Sequence, residues 1–339
     1  MIPYFCVAQS MKKNVLNILL SVLVSLAVLF LIWIKIRDRV ADIDFGVAGT
    51  LLFGSIQTLS MLLLVFLLMP VNLLCEALKW KTVCQPLYPV SLGQAYSGIL
   101  SGITAGLLLP NRVGEFAGKA LVLPLNTFWK ASALAVFTSM TQLLVTLLFG
   151  FSAFFYWGND LAYFLDISWI GLPWLIAGLS MLVLLGIFFS VHKLGNLFIR
   201  WPRIHKIMMV FDDVHFAMKI QLLSLSILRY FIFASQNLLL LFAFDVQVPL
   251  ADAFFLITLM YFIMTALPTI VLTDLPVRGS VMLLLFITWF NWQQLPVPAH
   301  LEVQIVLVSL IVWLFNLVLP AFPGLYFFNK YSLLRKEEK

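Results

Sequence analysis

Charged and helix-breaking residues interrupt a long apolar segment in the first third of the chain. The segment Leu92–Leu109 runs directly into Pro110, Asn111, Arg112, Gly114 and Glu115. A proline inside a helix removes a backbone hydrogen bond and frees a carbonyl group. An ionised side chain at the centre of a bilayer costs about 2.5–3.5 kcal/mol on insertion scales. These charges therefore lie either at a membrane edge or along a wet site enclosed by protein.

The spacing of three charged residues after this break predicts a shared helical face. Glu115 lies three residues after Arg112, and Lys119 lies four residues after Glu115. An arginine can hold a phosphate or carboxylate through two parallel hydrogen bonds, and a helix N-terminus adds free N–H groups. Candidate residues for an anionic headgroup or a coupling ion are Pro110, Asn111, Arg112, Gly114, Glu115 and Lys119. The alternative is a helix cap with an Arg112–Glu115 pair at the membrane boundary.

A second apolar segment, Phe255–Leu267, is interrupted in a similar way. Pro268 follows it, and Asp274 and Arg278 precede the next apolar run, Val281–Phe290. Hydrophobic segments that are interrupted at corresponding places in two halves of a chain point to the binding site of a transporter. Asp274 and Arg278 are therefore further candidate binding residues.

Composition indicates a membrane protein. Hydrophobic residues occupy 63% of 339 positions and charged residues 11%, whereas a soluble domain is about 25% charged. Segments long enough to span about 30 Å of hydrocarbon as helices are Val15–Ile34, Leu51–Leu74, Ala131–Tyr156, Trp169–Ser190, Leu222–Phe244 and Glu302–Phe322. We predict an all-α polytopic integral membrane protein with about eight spanning helices plus re-entrant or broken helices. A single transmembrane domain, 15–330, would contain two pseudo-repeated halves, about 15–190 and 220–328.

Lysine and arginine positions predict the orientation, because basic loops stay on the cytoplasmic side. The loop 191–219 is basic and has an apolar stripe after Pro202, so we expect a cytoplasmic amphipathic loop there. The tails 1–14 and 331–339 are expected to be cytoplasmic as well, in a multi-pass protein of the cell (inner) membrane. This orientation favours a re-entrant segment at 92–109, with a full crossing as the alternative.

Three glycines recur every four residues along that segment. A spacing of small residues such as Gly98, Gly102 and Gly106 lets two helix backbones approach closely. We therefore predict that this stripe packs against a neighbouring helix inside the bundle. In an alternative reading, the stripe is a contact face for a partner protein or a second copy of the chain.

The end of the second predicted span carries a charged pair and a tryptophan. Glu76 and Lys79 are three residues apart, and Trp80 follows them. Because interfaces favour tryptophan and paired charges, we expect an ion pair at the membrane surface with Trp80 in the aromatic belt.

Several classes of chemistry have no signature here. The run from Gly114 to Ala120 is one residue short of a P-loop and lacks its hydroxyl residue. The four histidines show no paired-ligand spacing, and the three cysteines are far apart. We therefore predict no catalytic residues, metal or cofactor, and a net charge of +6 gives no reason to expect nucleic acid.

These motifs resemble those of one family. Gly106–Glu115 is similar to the proline–arginine–glycine–glutamate signature of the lysylphosphatidylglycerol synthase transmembrane-region family, whose members are also called flippase-like domain proteins. Asn72–Trp80 resembles the Arg-Trp close of an early span in that family, and Leu275–Gly279 resembles its second-half Gly-Val-Arg-Glu element. The resemblance covers roughly Val15 to Phe322. Departures from the family pattern are Lys79 in place of arginine, and Pro276 and Gly279 in place of glycine and glutamate.

The resemblance implies translocation of lipids or lipid-linked molecules through cavities lined by broken helices. Arg112 and Arg278 would hold an anionic headgroup, and Glu115 and Asp274 would balance the charge. No aminoacyl-transferase domain is expected after the membrane part, so the resemblance implies a non-enzymatic protein whose partners are membrane lipids. Two alternatives stay open: an accessory or scaffold subunit of envelope lipid or polysaccharide synthesis, with partner proteins or as a homo-oligomer, and a membrane-embedded transferase.

Overall fold

A computed structural model describes residues 45–108, 112–157, 171–193, 198–267 and 271–337. Some predicted features lie outside these ranges, namely the span Val15–Ile34, the tail 1–14, Pro110, Asn111 and Pro268. Within the described ranges, the secondary structure is helical and contains no strand, which confirms the all-α prediction for this part of the chain.

Twelve α-helices lie in the described ranges. They are α1 (Phe45–Phe53), α2 (Ile56–Cys84), α3 (Leu92–Leu108), α4 (Gly114–Ala120), α5 (Phe128–Tyr156), α6 (Gly171–Phe189), α7 (Pro202–Met208), α8 (Phe216–Ala243), α9 (Leu250–Ala266), α10 (Val271–Trp292), α11 (Leu301–Trp313) and α12 (Leu319–Glu337). A π-helix, Leu314–Val318, joins α11 to α12 without a break.

Five helical stretches in the described residues are long and apolar enough to cross a membrane. They are Ile56–Cys84, Leu125–Tyr156, Phe216–Ala243, Thr273–Trp292 and Leu301–Ser332. The first of them begins later than the predicted Leu51–Leu74 span, because the Ser55 hydroxyl accepts a hydrogen bond from the Thr58 backbone N–H at 3.0 Å and caps the helix. The larger number of about eight spans stays a prediction, as does the pseudo-repeat of the two halves.

Helices α3 and α4 form an antiparallel hairpin held by the glycine stripe. A Cβ atom at Gly98 would lie 3.3 Å from the Lys119 carbonyl oxygen, and one at Gly102 would lie 2.9 Å from the Glu115 carbonyl oxygen. Residue numbers that increase along α3 thus pair with residue numbers that decrease along α4, so the two helices are antiparallel. At the closest point, a Cβ atom at Gly118 would lie 2.7 Å from the Cα of Gly102. The chain therefore turns back on itself after Leu108.

Replacing Gly118 by alanine is expected to destabilise the hairpin by about 1–3 kcal/mol, because the added methyl group meets backbone atoms of α3. Gly93→Ala provides the matched control, since nothing lies within 4 Å of a Cβ atom there. Alanine in an open helical position is favoured over glycine by about 0.5–1 kcal/mol, so this control should unfold at the same temperature or higher. Thermal unfolding of both variants in detergent measures the difference, and equal melting temperatures would contradict the packing.

Buried apolar side chains form two groups that divide the chain. The first core gathers α2, α3, α5 and the start of α8, with Trp80, Ile99, Leu134 and Leu222 among its buried members. The second core gathers the end of α8 with α9, α10 and α11, with Leu240, Ile257, Phe286 and Val308 among its buried members. Helix α12 belongs to the first core, and the Thr104 hydroxyl donates to the Ala321 carbonyl oxygen at 2.9 Å.

The second-half break differs from the first. Helix α9 ends at Ala266, and α10 begins at Val271 and continues to Trp292 with Pro276 inside its second turn. Asp274 and Arg278 therefore lie within the first turns of a long helix, whereas the first-half charges precede or occupy the short α4.

The loop between α6 and α8 contains a short helix, α7, which begins at Pro202. Proline suits the first turn of α7 because it lacks the N–H group that has no intrahelical partner there. Phe211 and Val214 are buried, while Trp201 and Ile204 are exposed. The apolar stripe in this loop is thus shared between the protein interior and its surface.

Candidate functional site

Six charged side chains join α2, α4 and α8. We call them the buried charge cluster, and they are Glu76, Lys79, Arg112, Glu115, Lys119 and Arg229. The first two come from α2, the next three from α4 and the residue that leads into it, and the last from the middle of α8. Three separate elements must pack together before these groups can meet.

Glu76 is the centre of the cluster and is only 3% exposed. Its Oε1 atom accepts a hydrogen bond from Lys119 Nζ at 2.8 Å. Its Oε2 atom accepts from Lys79 Nζ at 3.1 Å and from Arg229 Nη1 at 2.5 Å. One carboxylate thus ties the end of α2 to both α4 and α8.

The outer part of the cluster is the motif that follows Leu108. Lys119 Nζ reaches Glu115 Oε1 at 2.8 Å, and Glu115 Oε2 pairs with Arg112 Nη2 at 3.1 Å. The Arg112 side chain is 46% exposed, and its backbone has a φ of 54°, a left-handed conformation that is uncommon outside glycine. Arg112 thus lies before α4 and not on its face, so the predicted helical face holds only for Glu115 and Lys119, but the three residues still form a continuous ion-paired row that ends on an exposed guanidinium group.

The buried charge cluster is not electrically balanced. It contains four cations and two carboxylates, and its ion pairs among the described residues include no other acidic side chain. Two positive charges are left over. Buried charges are costly unless opposite charges balance them. The two surplus positive charges therefore favour the binding of an anion at this site.

Amide side chains extend the cluster along α2 and α8. Arg229 Nε donates to Asn72 Oδ1 at 2.7 Å, and Asn72 Nδ2 donates to Asn316 Oδ1 at 2.9 Å. Asn316 Nδ2 then donates to Gln236 Oε1 at 2.8 Å, and Gln236 Nε2 donates to the Val65 carbonyl oxygen at 3.0 Å. We call this hydrogen-bonded series the polar track. It connects the charges of the first core to the π-helix between α11 and α12.

The predicted interfacial position of the Glu76–Lys79 pair is wrong. The two residues do form an ion pair, but Lys79 is 0% exposed and Trp80 is only 1% exposed. Helix α2 continues beyond Trp80 to Cys84, and Glu76 pairs with Lys119 of α4 and Arg229 of α8, so this part of α2 faces the interior of the bundle. The pair therefore belongs to the interior of the site, and Trp80 is a core residue.

Sequence reasoning also missed Arg229. This arginine stands in the middle of the predicted span Leu222–Phe244, seven residues before Gln236 and on the same helical face. An ionisable residue inside a membrane segment is expensive and is by itself a reason to suspect a functional site. An arginine inside a predicted membrane span could therefore have identified Arg229 from the sequence alone, with no spacing motif needed.

The second candidate pair lies in the other core. Arg278 Nη2 donates to Asp274 Oδ1 and Oδ2 at 3.4 and 3.2 Å, with both side chains about one-fifth exposed. The Tyr261 phenol interacts electrostatically with Arg278 and accepts a hydrogen bond from Asn237 Nδ2 at 2.8 Å. Within the described residues, the buried Nε atom of Arg278 has no hydrogen-bond partner. This pair is therefore a second, smaller polar site.

Among the described residues there is no group of three or more His, Cys, Asp or Glu side chains that could hold a metal ion. Fold and site together define an α-helical protein with membrane-length helices and ion pairs between them. The chain matches no family model, no curated protein and no solved structure.

Proposed function

We propose that this protein is a multi-pass membrane protein that binds and translocates an anionic or amphipathic lipid. The observation that carries the proposal is Arg112, a half-exposed arginine at the turn end of the α3–α4 hairpin, where it forms the outermost member of the buried charge cluster. The resemblance to flippase-like domain proteins supports the same function. We further propose about eight spans in two related halves, a position in the cell (inner) membrane and cytoplasmic termini.

The depth of Arg112 supports a role inside the bilayer. Helix α3 has 17 residues, so it rises by about 24 Å between its ends. If Leu92 lies near one membrane surface and α3 runs along the membrane normal, the end of α3 and the neighbouring Arg112 lie about 24 Å into a hydrocarbon core of about 30 Å, still short of its opposite surface. An exposed guanidinium group at that depth is costly against lipid tails. It is compatible with a wet cavity or with an anionic group that pairs with it.

The geometry of Arg112 suits a lipid headgroup. Its Nη2 atom is engaged by Glu115, which fixes the side chain while leaving part of the planar fork exposed. Planar guanidinium groups bind phosphate and carboxylate through paired hydrogen bonds. Arg278, with Asp274 as its counter-ion, is proposed as a second headgroup contact in the other half.

The proposal predicts that Arg112→Ala abolishes lipid translocation while the protein stays folded. The measurement uses liposomes with headgroup-labelled lipids and a membrane-impermeant quencher, which reaches inner-leaflet label only if lipid crosses. Arg203→Ala is the matched control, because Arg203 is an exposed arginine in α7, outside both charged sites. Equal quenching rates for the parent protein and Arg112→Ala would exclude the assignment.

The structure argues against one version of the scaffold alternative. That version uses Gly98, Gly102 and Gly106 as a contact face for another protein. All three glycines lie against Arg112, α4 or the residues next to it in the same chain, so this surface is already covered. Lipid binding at Arg112 is therefore the function that the geometry supports best.

A further inference from the structure

The surplus of two positive charges in the buried charge cluster calls for an anion. Glu76 receives three cations, and Glu115 receives Lys119 and Arg112. Two carboxylates cannot neutralise four cations. The surplus is least favourable at Lys79, Lys119 and Arg229, which are mostly removed from water, whereas the Arg112 side chain is 46% exposed. A ligand that brought one or two negative charges would remove this imbalance.

Two members of the cluster keep exposed surface for such a ligand. Lys79 and Lys119 are both 0% exposed, whereas the Arg229 and Arg112 side chains are 19% and 46% exposed. Arg229 uses Nε for Asn72 and Nη1 for Glu76. Within the described part of the chain no hydrogen bond engages its Nη2 atom, while the guanidinium lies over the Phe233 ring with Cζ 5.4 Å from the ring centroid.

The geometry points to a phosphate group as the anion, bound at the Nη2 edge of Arg229 beside the buried charge cluster. A phosphate carries one or two negative charges, which matches the surplus, and its oxygens fit the planar arginine donors. Lys79 and Lys119 are fully buried, so they would attract the phosphate through their positive charge without contacting it. Arg229 is thus a binding residue in its own right, in addition to its structural bond to Glu76.

This phosphate belongs either to a lipid headgroup or to a free anion. The lipid source rests on the proposed function, whereas the free anion does not. The purified protein in detergent is therefore titrated in parallel with inorganic phosphate, with dihexanoyl-phosphatidylglycerol and with dihexanoyl-glycerol, which lacks phosphate. Thermal unfolding followed by tryptophan fluorescence reports binding, because a ligand of the folded state raises the melting temperature. Sodium chloride at matched ionic strength controls for screening.

Arg229→Gln is expected to weaken the apparent affinity for the phosphate-bearing ligand about tenfold or more, because a charge-assisted hydrogen bond is lost. Arg229→Lys keeps the positive charge but loses the planar guanidinium group with its paired N–H donors, so it should also weaken binding of the phosphate-bearing ligand. This variant provides the test if Arg229→Gln does not fold. Lys81→Gln is the matched control, since it removes a lysine near the same end of α2 without entering the cluster. Its response to each ligand should equal that of the parent.

The outcomes separate the inference from the proposed function. Stabilisation by phosphatidylglycerol, weakened by the Arg229 variants, supports both. Stabilisation by inorganic phosphate alone supports the site but counts against a lipid ligand. If neither phosphate compound stabilises the protein, if dihexanoyl-glycerol acts equally well, or if the Arg229 variants respond like the parent, the site is excluded.

Discussion

Replacing Glu76 by glutamine is expected to lower the free energy of unfolding by about 3–5 kcal/mol, the usual cost of removing one partner from a buried ion pair. The loss is large here because one carboxylate accepts hydrogen bonds from three cations. Without it, Lys79, Lys119 and Arg229 would face one another with only Glu115 left to compensate. Chemical or thermal unfolding in detergent provides the measurement, with retention on gel filtration as the check for a folded protein.

Lys79→Met is the informative contrast to Glu76→Gln. It removes one of the surplus cations and fills a similar volume with apolar atoms, so we expect a change of less than about 1 kcal/mol, or a gain in stability. The double variant should be more stable than Glu76→Gln alone, because the two residues are in direct contact and their effects are not additive. If Glu76→Gln changed the free energy of unfolding only slightly and Lys79→Met lowered it strongly, Glu76 would not be the central residue of the cluster.

Replacing Gly324 by alanine is expected to separate α12 from α3. A Cβ atom at this position would overlap the Leu100 carbonyl oxygen and the Thr104 hydroxyl, and the backbone atom cannot move aside as a flexible side chain would. Overpacking of this kind costs about 1–3 kcal/mol or more. The nearby hydrogen bond from Thr104 to the Ala321 carbonyl should be lost with it.

The check for Gly324→Ala is thermal unfolding together with limited proteolysis of the α12 region. Gly186→Ala in α6 is the matched control, since no atom lies within 4 Å of a Cβ atom there. The control should match the parent in both measurements. A Gly324→Ala protein with the parent's melting temperature and cleavage pattern would show that α12 can tilt away from α3 without cost.

Patterns among residues close in sequence were enough to predict the helical class of the fold and the pairing of the charges near Arg112. The spacing of Arg112, Glu115 and Lys119 predicted a shared helical face; the structure places Glu115 and Lys119 on α4 and joins Arg112 to them by an ion pair from just before the helix. The apolar stripe after Pro202 was also visible in the sequence, and the short helix α7 begins at that proline. These features depend on residues that are close in sequence, so a reader of the sequence has everything needed to derive them.

The centre of the cluster could not be derived in the same way. Glu76 meets Lys119 across 43 positions and Arg229 across 153 positions. Such contacts depend on which helices become neighbours, and an apolar segment packs against many partners equally well. The same gap explains the error at Glu76 and Lys79, whose pairing followed from spacing while their burial followed from tertiary packing.

The π-helix at Leu314–Val318 has a consequence for how the two cores are connected. Its wider turn accommodates one extra residue, which offsets the two ends of the continuous α11–α12 rod by about 100° relative to a uniform α-helix. One end can then present its apolar side to the second core while the other presents its own to α3 in the first core. Asn316 sits at this change of phase and bonds Asn72 and Gln236. The polar track therefore fixes the rotation of α11 relative to α12. Deleting one residue from Leu314–Val318 would rotate one of these helices out of its packing register with its core while the other helix kept its register.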